Sequence, residues 1–201
     1  MAEPITIFVE FSSPFAQIAA HLIEPVAAKH GRAVRWRPIW LAFVFKAHYG
    51  DRVAQPPIKI DYIFRDAQRF AGLYGIPFTR PTAFPLDARL ARRLFYRVER
   101  QDPAKAAFLV KVVLQAYWGE GREMRSVEQL RPLAAALGIA EADLAAAEND
   151  EAAKAAERQA CEDALAAGCF GAPYFLVDGE PFWGADRIEH IDRWLARRKA
   201  A

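Results

Sequence analysis

Sulfur is scarce in this sequence. Its 201 residues include only two cysteines, Cys161 and Cys169, which lie eight positions apart rather than in a C-x-x-C. A disulfide framework is therefore not expected, and a reducing, intracellular (cytoplasmic) setting is the default. Charge of one sign is missing too. A formal net charge of +2 gives no argument for a nucleic-acid partner or an acidic surface. The basic run Arg197-Arg-Lys199 reads as a solvated helix end. No apolar stretch is long enough to span a membrane, and no basic segment leading into a long apolar one marks a signal peptide. His21, His30, His48 and His190 show no metal-ligand spacing, so no metal site is expected. A glycine-rich phosphate loop and a Ser-His-Asp constellation are both lacking. Glu120 and Glu123 could do acid–base work, but nothing in the sequence brings them to a nucleophile.

Hydrophobic residues make up 53% of the chain, ample for the core of one domain, with room for an inserted subdomain. The organising stretch is Phe8-Val-Glu-Phe-Ser-Ser-Pro-Phe-Ala-Gln17. Ile5, Ile7 and Val9 alternate as in a strand. Ser12 and Ser13 are good helix N-caps, and Pro14 suits the first helical position because its missing N–H is no loss there. Phe15, Ile18, Ala19, Leu22, Ile23 and Val26 then recur at helical spacing. Strands near 4–10 and 33–39 around a helix over 14–29, with a kink expected at Pro25, make a βαβ beginning.

From 41 to 167 the patterns are helical: 41–49, 58–74, 87–100, 103–118, 126–137 and 141–167, the last breaking near Asn149-Asp150. Within 58–74, Ile63, Ala67, Phe70 and Tyr74 share a face. Pro77, Pro81 and Pro85 mark an extended connection, and Gly138 and Gly168 are credible helix stops. Strand pattern returns at Tyr174-Phe-Leu-Val177, the hairpin signal Asp178-Gly179 follows, and Glu180-Pro-Phe-Trp183 is the returning strand. Asp186 then opens a final helix burying Ile188, Ile191 and Leu195. The fold class is α/β: a thioredoxin-like sheet from residues 1–40 and 168–201, with residues 41–167 an all-helical insertion.

Ser13 alone reads as a plain N-cap. A hydroxyl there also stands at the positive end of a helix dipole, among N–H groups that can hold an anion. Pro173, in Gly171-Ala172-Pro173 just before the Tyr174 strand, is a candidate for a cis peptide beside that helix end. These are the two halves of a thioredoxin-type active site.

At this point the chain resembles the 2-hydroxychromene-2-carboxylate isomerases, kin of kappa-class glutathione transferases and DsbA-like proteins. The matching blocks are Phe11-Ser-Ser-Pro-Phe15, Lys59-Ile-Asp-Tyr62 running into Arg65-Asp-Ala-Gln-Arg69, Leu73-Tyr-Gly-Ile-Pro77, Tyr117-Trp-Gly-Glu-Gly121, Phe170-Gly-Ala-Pro173 and Phe182-Trp-Gly-Ala-Asp-Arg187. They run in order along nearly the whole chain. The resemblance implies glutathione as cofactor, a homodimer and a small aromatic substrate; with the near-neutral charge and the lack of a long apolar run, no nucleic-acid or membrane partner is expected. It implies that Ser13 contacts the glutathione sulfur, that the Ala172 backbone before Pro173 pairs with the tripeptide, and that Asp186 and Arg187 grip its γ-glutamyl end. Lys59 would meet its glycyl carboxylate. Lys46, Asp51, Phe84, Trp118 and Trp183 would border the substrate. The dithiol motif of redox relatives is replaced by Ser13-Pro14-Phe15-Ala16, which excludes dithiol–disulfide exchange at this site.

Three departures stand out. Asp51 stands where such isomerases carry asparagine, Phe84 where they carry tyrosine, and Ala16-Gln17 where Ser-Tyr is common. The implied function is cis–trans isomerisation by reversible thiolate addition. The alternatives are a kappa-like transferase or peroxidase, and a non-catalytic binding protein on the same frame.

Overall fold

The structure, a computed structural model, describes residues 2–50 and 55–199. Four strands, β1 (Ile5–Val9), β2 (Val34–Pro38), β3 (Tyr174–Val177) and β4 (Glu180–Trp183), form one sheet in the order β2-β1-β3-β4. β1 and β2 run parallel, Ile7 opposite Trp36, as the βαβ pattern requires. β3 runs antiparallel to both β1 and β4. Strand alternation sets the faces: Ile5, Ile7, Val9, Phe175 and Val177 are fully buried on one side. The β3–β4 turn puts Asp178 and Gly179 at φ 54° and 80°, the conformation that this pair favours.

Helix α1 (Pro14–Lys29) continues through Pro25, its apolar face led by Ile18, Ala19 and Ile23. The segment between β2 and β3 is helical: α2 (Leu41–Tyr49), α3 (Pro57–Leu73), α4 (Arg89–Glu99), α5 (Pro103–Leu114), a wide π turn (Gln115–Gly119), α6 (Val127–Ala136), α7 (Glu141–Ala146) and α8 (Glu151–Ala166). A 3₁₀ turn (Ala185–Arg187) leads into α9 (Ile188–Lys199). Fold class and sheet composition agree with the sequence expectation. Two details differ. The buried face of α3 is Phe64, Ala67 and Ala71, with Tyr74 exposed. The last helix opens at Ile188, after the 3₁₀ turn that holds Asp186.

An aromatic cluster under the Pro77–Pro85 connection braces the insertion against β1. Trp118 is fully buried, stacked on Phe78 at 5.7 Å, with Phe64 at 5.8 Å and Phe84 at 6.2 Å. Its indole N–H donates to the Phe11 carbonyl at 2.8 Å. At the far side, Asp150 caps α8 through the Ala153 N–H at 3.0 Å and pairs with Arg100 at 2.6 Å and with Arg97.

Arg100, the Ala153 N–H and Arg97 hold the Asp150 carboxyl well below the usual carboxylate range. A depressed folded-state pKa stabilises fully above the unfolded value of about 3.9 and is lost as pH falls through the folded one. Asp150→Asn keeps a good cap and removes the charge, so it is expected to cost about 1 kcal/mol near neutrality, the size of a partly screened charge-assisted pair. That deficit should shrink progressively as pH falls below about 4 in urea titrations followed by circular dichroism, because the unfolded chain then takes up a proton at Asp150 that the folded protein does not.

Candidate active site

β1 ends at Val9, and the chain turns through Glu10–Ser12 into α1. Ser13 is the N-cap residue, with extended backbone (φ −89°, ψ 119°), and Pro14 takes the first helical position. The hydroxyl does not cap the helix. It donates to the carbonyl oxygen of Ala172 at 2.8 Å. The first turn of α1 therefore keeps N–H groups without a side-chain acceptor, and no acidic residue in that turn offsets them. Ser13 is only 8% exposed, so that positive end acts where water screens it poorly.

The Ala172–Pro173 peptide is cis, as the sequence suggests. The Ala172 carbonyl faces Ser13, while its N–H finds no acceptor among the described residues. The Pro173 carbonyl accepts from the Gly184 N–H at 3.0 Å. Gly184 sits at φ 104°, a backbone conformation that L side chains rarely adopt, so this turn favours glycine. Asp186 in turn pairs with Arg187 at 3.3 Å, both side chains about half exposed. The Arg187 N–H donates to the Gly184 carbonyl at 3.1 Å, so Ser13, Ala172, Pro173 and Arg187, with Asp186 ion-paired to it, belong to one frame.

The other candidates lie around it at varying depth. Lys59 is in the first turn of α3, exposed, with no ion pair among the described residues. Lys46 is exposed on α2. Asp51 lies outside the described residues. Phe84 is 37% exposed and edge-on to Phe64 at 5.1 Å. Trp118 is buried behind Phe84 and Phe11, so it backs this wall instead of forming its open surface. Trp183 is 52% exposed and lies over Gly171, where a Cβ would strike the indole. Phe170 meets it edge-on at 4.8 Å, and the two make an open aromatic ledge beside Ala172.

Some contacts of this region carry no local signal in the sequence. Gln17, one turn beyond Ser13, is fully buried and donates to the Gln115 side chain at 2.8 Å. Gln115 and Trp118 both belong to the π turn, so one widened turn grips the chain on either side of Ser13. His48 Nε2 donates to the Cys169 carbonyl at 2.9 Å. The one signal for Glu10 was an acid inside the apolar run Ile5–Phe11.

Comparison with known proteins narrows the choice. The DSBA-like thioredoxin domain model matches residues 4–196. A 2-hydroxychromene-2-carboxylate isomerase from Pseudomonas putida is 31% identical over 200 residues, covering 96% of this chain and 94% of the relative. The chain belongs to this isomerase family within the DSBA-like thioredoxin fold. The isomerase of Sphingobium xenophagum is 29% identical over 197 residues, covering 97% of this chain and 99% of the relative. A solved 2-hydroxychromene-2-carboxylate isomerase superposes with TM-score 0.84 at 29% identity, over 96% of this chain and 94% of that one. The cytosolic disulfide reductase DsbM from Pseudomonas aeruginosa, solved with GSH, shares the fold: TM-score 0.68 at 19% identity, over 98% of each chain.

Unlike a dithiol reductase, this family member carries no sulfur at the start of α1. Both of its thiols are buried elsewhere. Cys169 donates to the Gly171 carbonyl at 3.2 Å, and Cys161 accepts from the Trp40 N–H at 3.3 Å. Desolvation pushes each thiol up to about 11. Neither is a thiolate near neutrality, and neither is expected to react with iodoacetamide in the folded protein. Mass spectrometry should find both unmodified until denaturant is added. Rapid labelling of native Cys169 would contradict this.

Proposed function

We propose that this chain is a glutathione-dependent isomerase of 2-hydroxychromene-2-carboxylate or a related aromatic catabolite. The observation that carries the reading is the Ser13 hydroxyl, fixed on the Ala172 carbonyl at an uncapped, positively polarised helix end, in a chain of this isomerase family. The residues present fit glutathione. A half-buried N–H at Ala172 is open to a peptide carbonyl. The Asp186–Arg187 pair suits an α-amino acid end, and exposed Lys59 suits a carboxylate.

Glutathione, when bound, supplies a thiolate that adds reversibly to a conjugated double bond and so permits rotation about it. The chain's own part is electrostatic. Ser13 turns its O–H from Ala172 to the sulfur, and the α1 N-terminus favours the negative charge, which lowers the thiol pKa. The backbone around the cis Ala172–Pro173 peptide aligns the tripeptide as an added strand segment. The Phe170–Trp183 ledge and Phe84 offer apolar faces to an aromatic ring, and Lys46 offers a cation to its carboxylate. Phe84 supports one second reading. Without a phenol O–H at that position the substrate oxygen loses a donor, which suits a kappa-like transferase that releases the adduct. Parallel assays of isomerisation and of conjugation to an electrophile separate the two.

Ser13→Ala is expected to lower turnover about a hundredfold, the effect of losing one preorganised donor. The thermal midpoint should move by only a few degrees, because the lost hydrogen bond contributes about 1 kcal/mol. Turnover within about twofold of the unaltered protein would count against the assignment. Asp186→Asn should weaken glutathione binding about tenfold by calorimetry, with the fold intact.

A further inference from the structure

Behind Ser13 lies a charge network that none of the roles above uses. Glu10 and Arg92 are each 4% exposed, and Glu157 is nearly as buried. Arg92 approaches Glu10 at 3.6 Å and donates to Glu157 at 2.5 Å, while Arg93 donates to the other Glu157 oxygen at 3.1 Å. Apolar residues of the same volume often stabilise a fold at least as well, so burying three charges calls for a reason besides stability.

The contacts of Glu10 supply one. Its backbone carbonyl accepts the Ser13 N–H at 2.9 Å. One carboxylate oxygen accepts the Ser12 N–H at 3.4 Å, and the other accepts the Leu41 N–H at 2.9 Å. Leu41 is the first residue of α2, and Trp40 before it provides no side-chain cap. Glu10 therefore caps α2 from outside, with its carboxylate at the helix N-terminus. The last turn of α2 carries His48, which donates to the Cys169 carbonyl, three residues before Ala172. A closed ring results: Ser13, Ala172, the 169–172 loop, His48, α2, Leu41, Glu10, and back to Ser13.

We propose that Glu10 is the positioning residue of this site. It sets the Ser13 hydroxyl and the helix bearing Lys46 in fixed register, with Arg92 as the cation beside its carboxylate. Glu10 touches no substrate. Its catalytic effect rests on the glutathione-dependent reading. The placement itself does not.

The test compares Glu10→Gln with Glu157→Gln. The first swaps an acceptor for an amide donor that opposes the Leu41 or Ser12 N–H. The second perturbs the same network at its far end, away from both. Hydrogen exchange should show Ser12 and Leu41 losing about tenfold or more protection in Glu10→Gln and less than about threefold in Glu157→Gln. With 2-hydroxychromene-2-carboxylate and saturating glutathione, Glu10→Gln should lower kcat about tenfold while KM for glutathione stays within about twofold. Glu157→Gln should keep kcat within about twofold. Equal effects of the two variants, or an unchanged kcat in Glu10→Gln, would overturn the proposal.

Leu41→Pro gives a second route should Glu10→Gln not fold. It deletes the same N–H at a helix position that accepts proline, after a residue already in extended conformation. It is expected to reproduce the loss in kcat, and a fully active Leu41→Pro would count against the ring. If the unaltered protein isomerises nothing, the functional reading fails by itself, and hydrogen exchange alone decides the placement of Ser12 and α2.

Discussion

One side-chain hydrogen bond closes the site where the two ends of the chain meet. The Ser13 hydroxyl, at the exit of β1, donates to the Ala172 carbonyl, at the entrance to β3. The strands are neighbours in the sheet, Phe8 opposite Tyr174, so the pairing register decides where the two groups meet. A slip of one residue would turn every side chain of β3 to the other face and carry Ala172 out of reach. The register is held by burial: Ile7, Val9, Phe175 and Val177 all lose their place if the strands shift. The site is thus a consequence of how the hydrophobic core is layered. Its polar chemistry sits at a point that apolar packing fixes.

What stands around that bond is arranged to leave a positive potential unspent. The first turn of α1 has no acid, Pro14 gives up no donor, and the Ser13 hydroxyl is engaged elsewhere. The nearest buried acid, Glu10, is balanced by Arg92 and directs its oxygens to Ser12 and Leu41. With both thiols buried and held protonated, the sulfur anion proposed for this site must come from outside the polypeptide. That division of labour fits a protein of this isomerase family better than a redox protein on the same fold.

Much of this was legible wherever local chemistry decides. Pro14, Gly138, Gly168 and the Asp178-Gly179 pair each act within a few residues, and the element boundaries they announce agree closely with the structure. The cis peptide at Pro173 was anticipated, whereas the one at Phe84–Pro85 was not. Features that depend on distant partners were read less well. The 3₁₀ turn at Asp186 exists because Gly184 bonds back to Pro173, a contact no local pattern reveals. The π turn looks like plain helix in sequence, yet its widening lets Gln115 and Trp118 reach separate sides of Ser13. Trp118 read as a wall for an aromatic substrate, and it is the fully buried support of that wall. On α3 the buried face is turned away from the one that aromatic spacing suggests: Phe64 faces the core and Tyr74 faces outward.

The central claim is that the N-terminus of α1 and the Ser13 hydroxyl together hold a sulfur anion. The most direct measurement is an ultraviolet titration of the thiolate of glutathione bound to the protein, with Ser13→Ala in parallel. The account predicts that the bound thiol ionises at least about one pH unit below its free value of about 8.5, and that much of this shift is lost without the hydroxyl. A thiol that titrates as it does in free solution, or a shift untouched by Ser13→Ala, would contradict it.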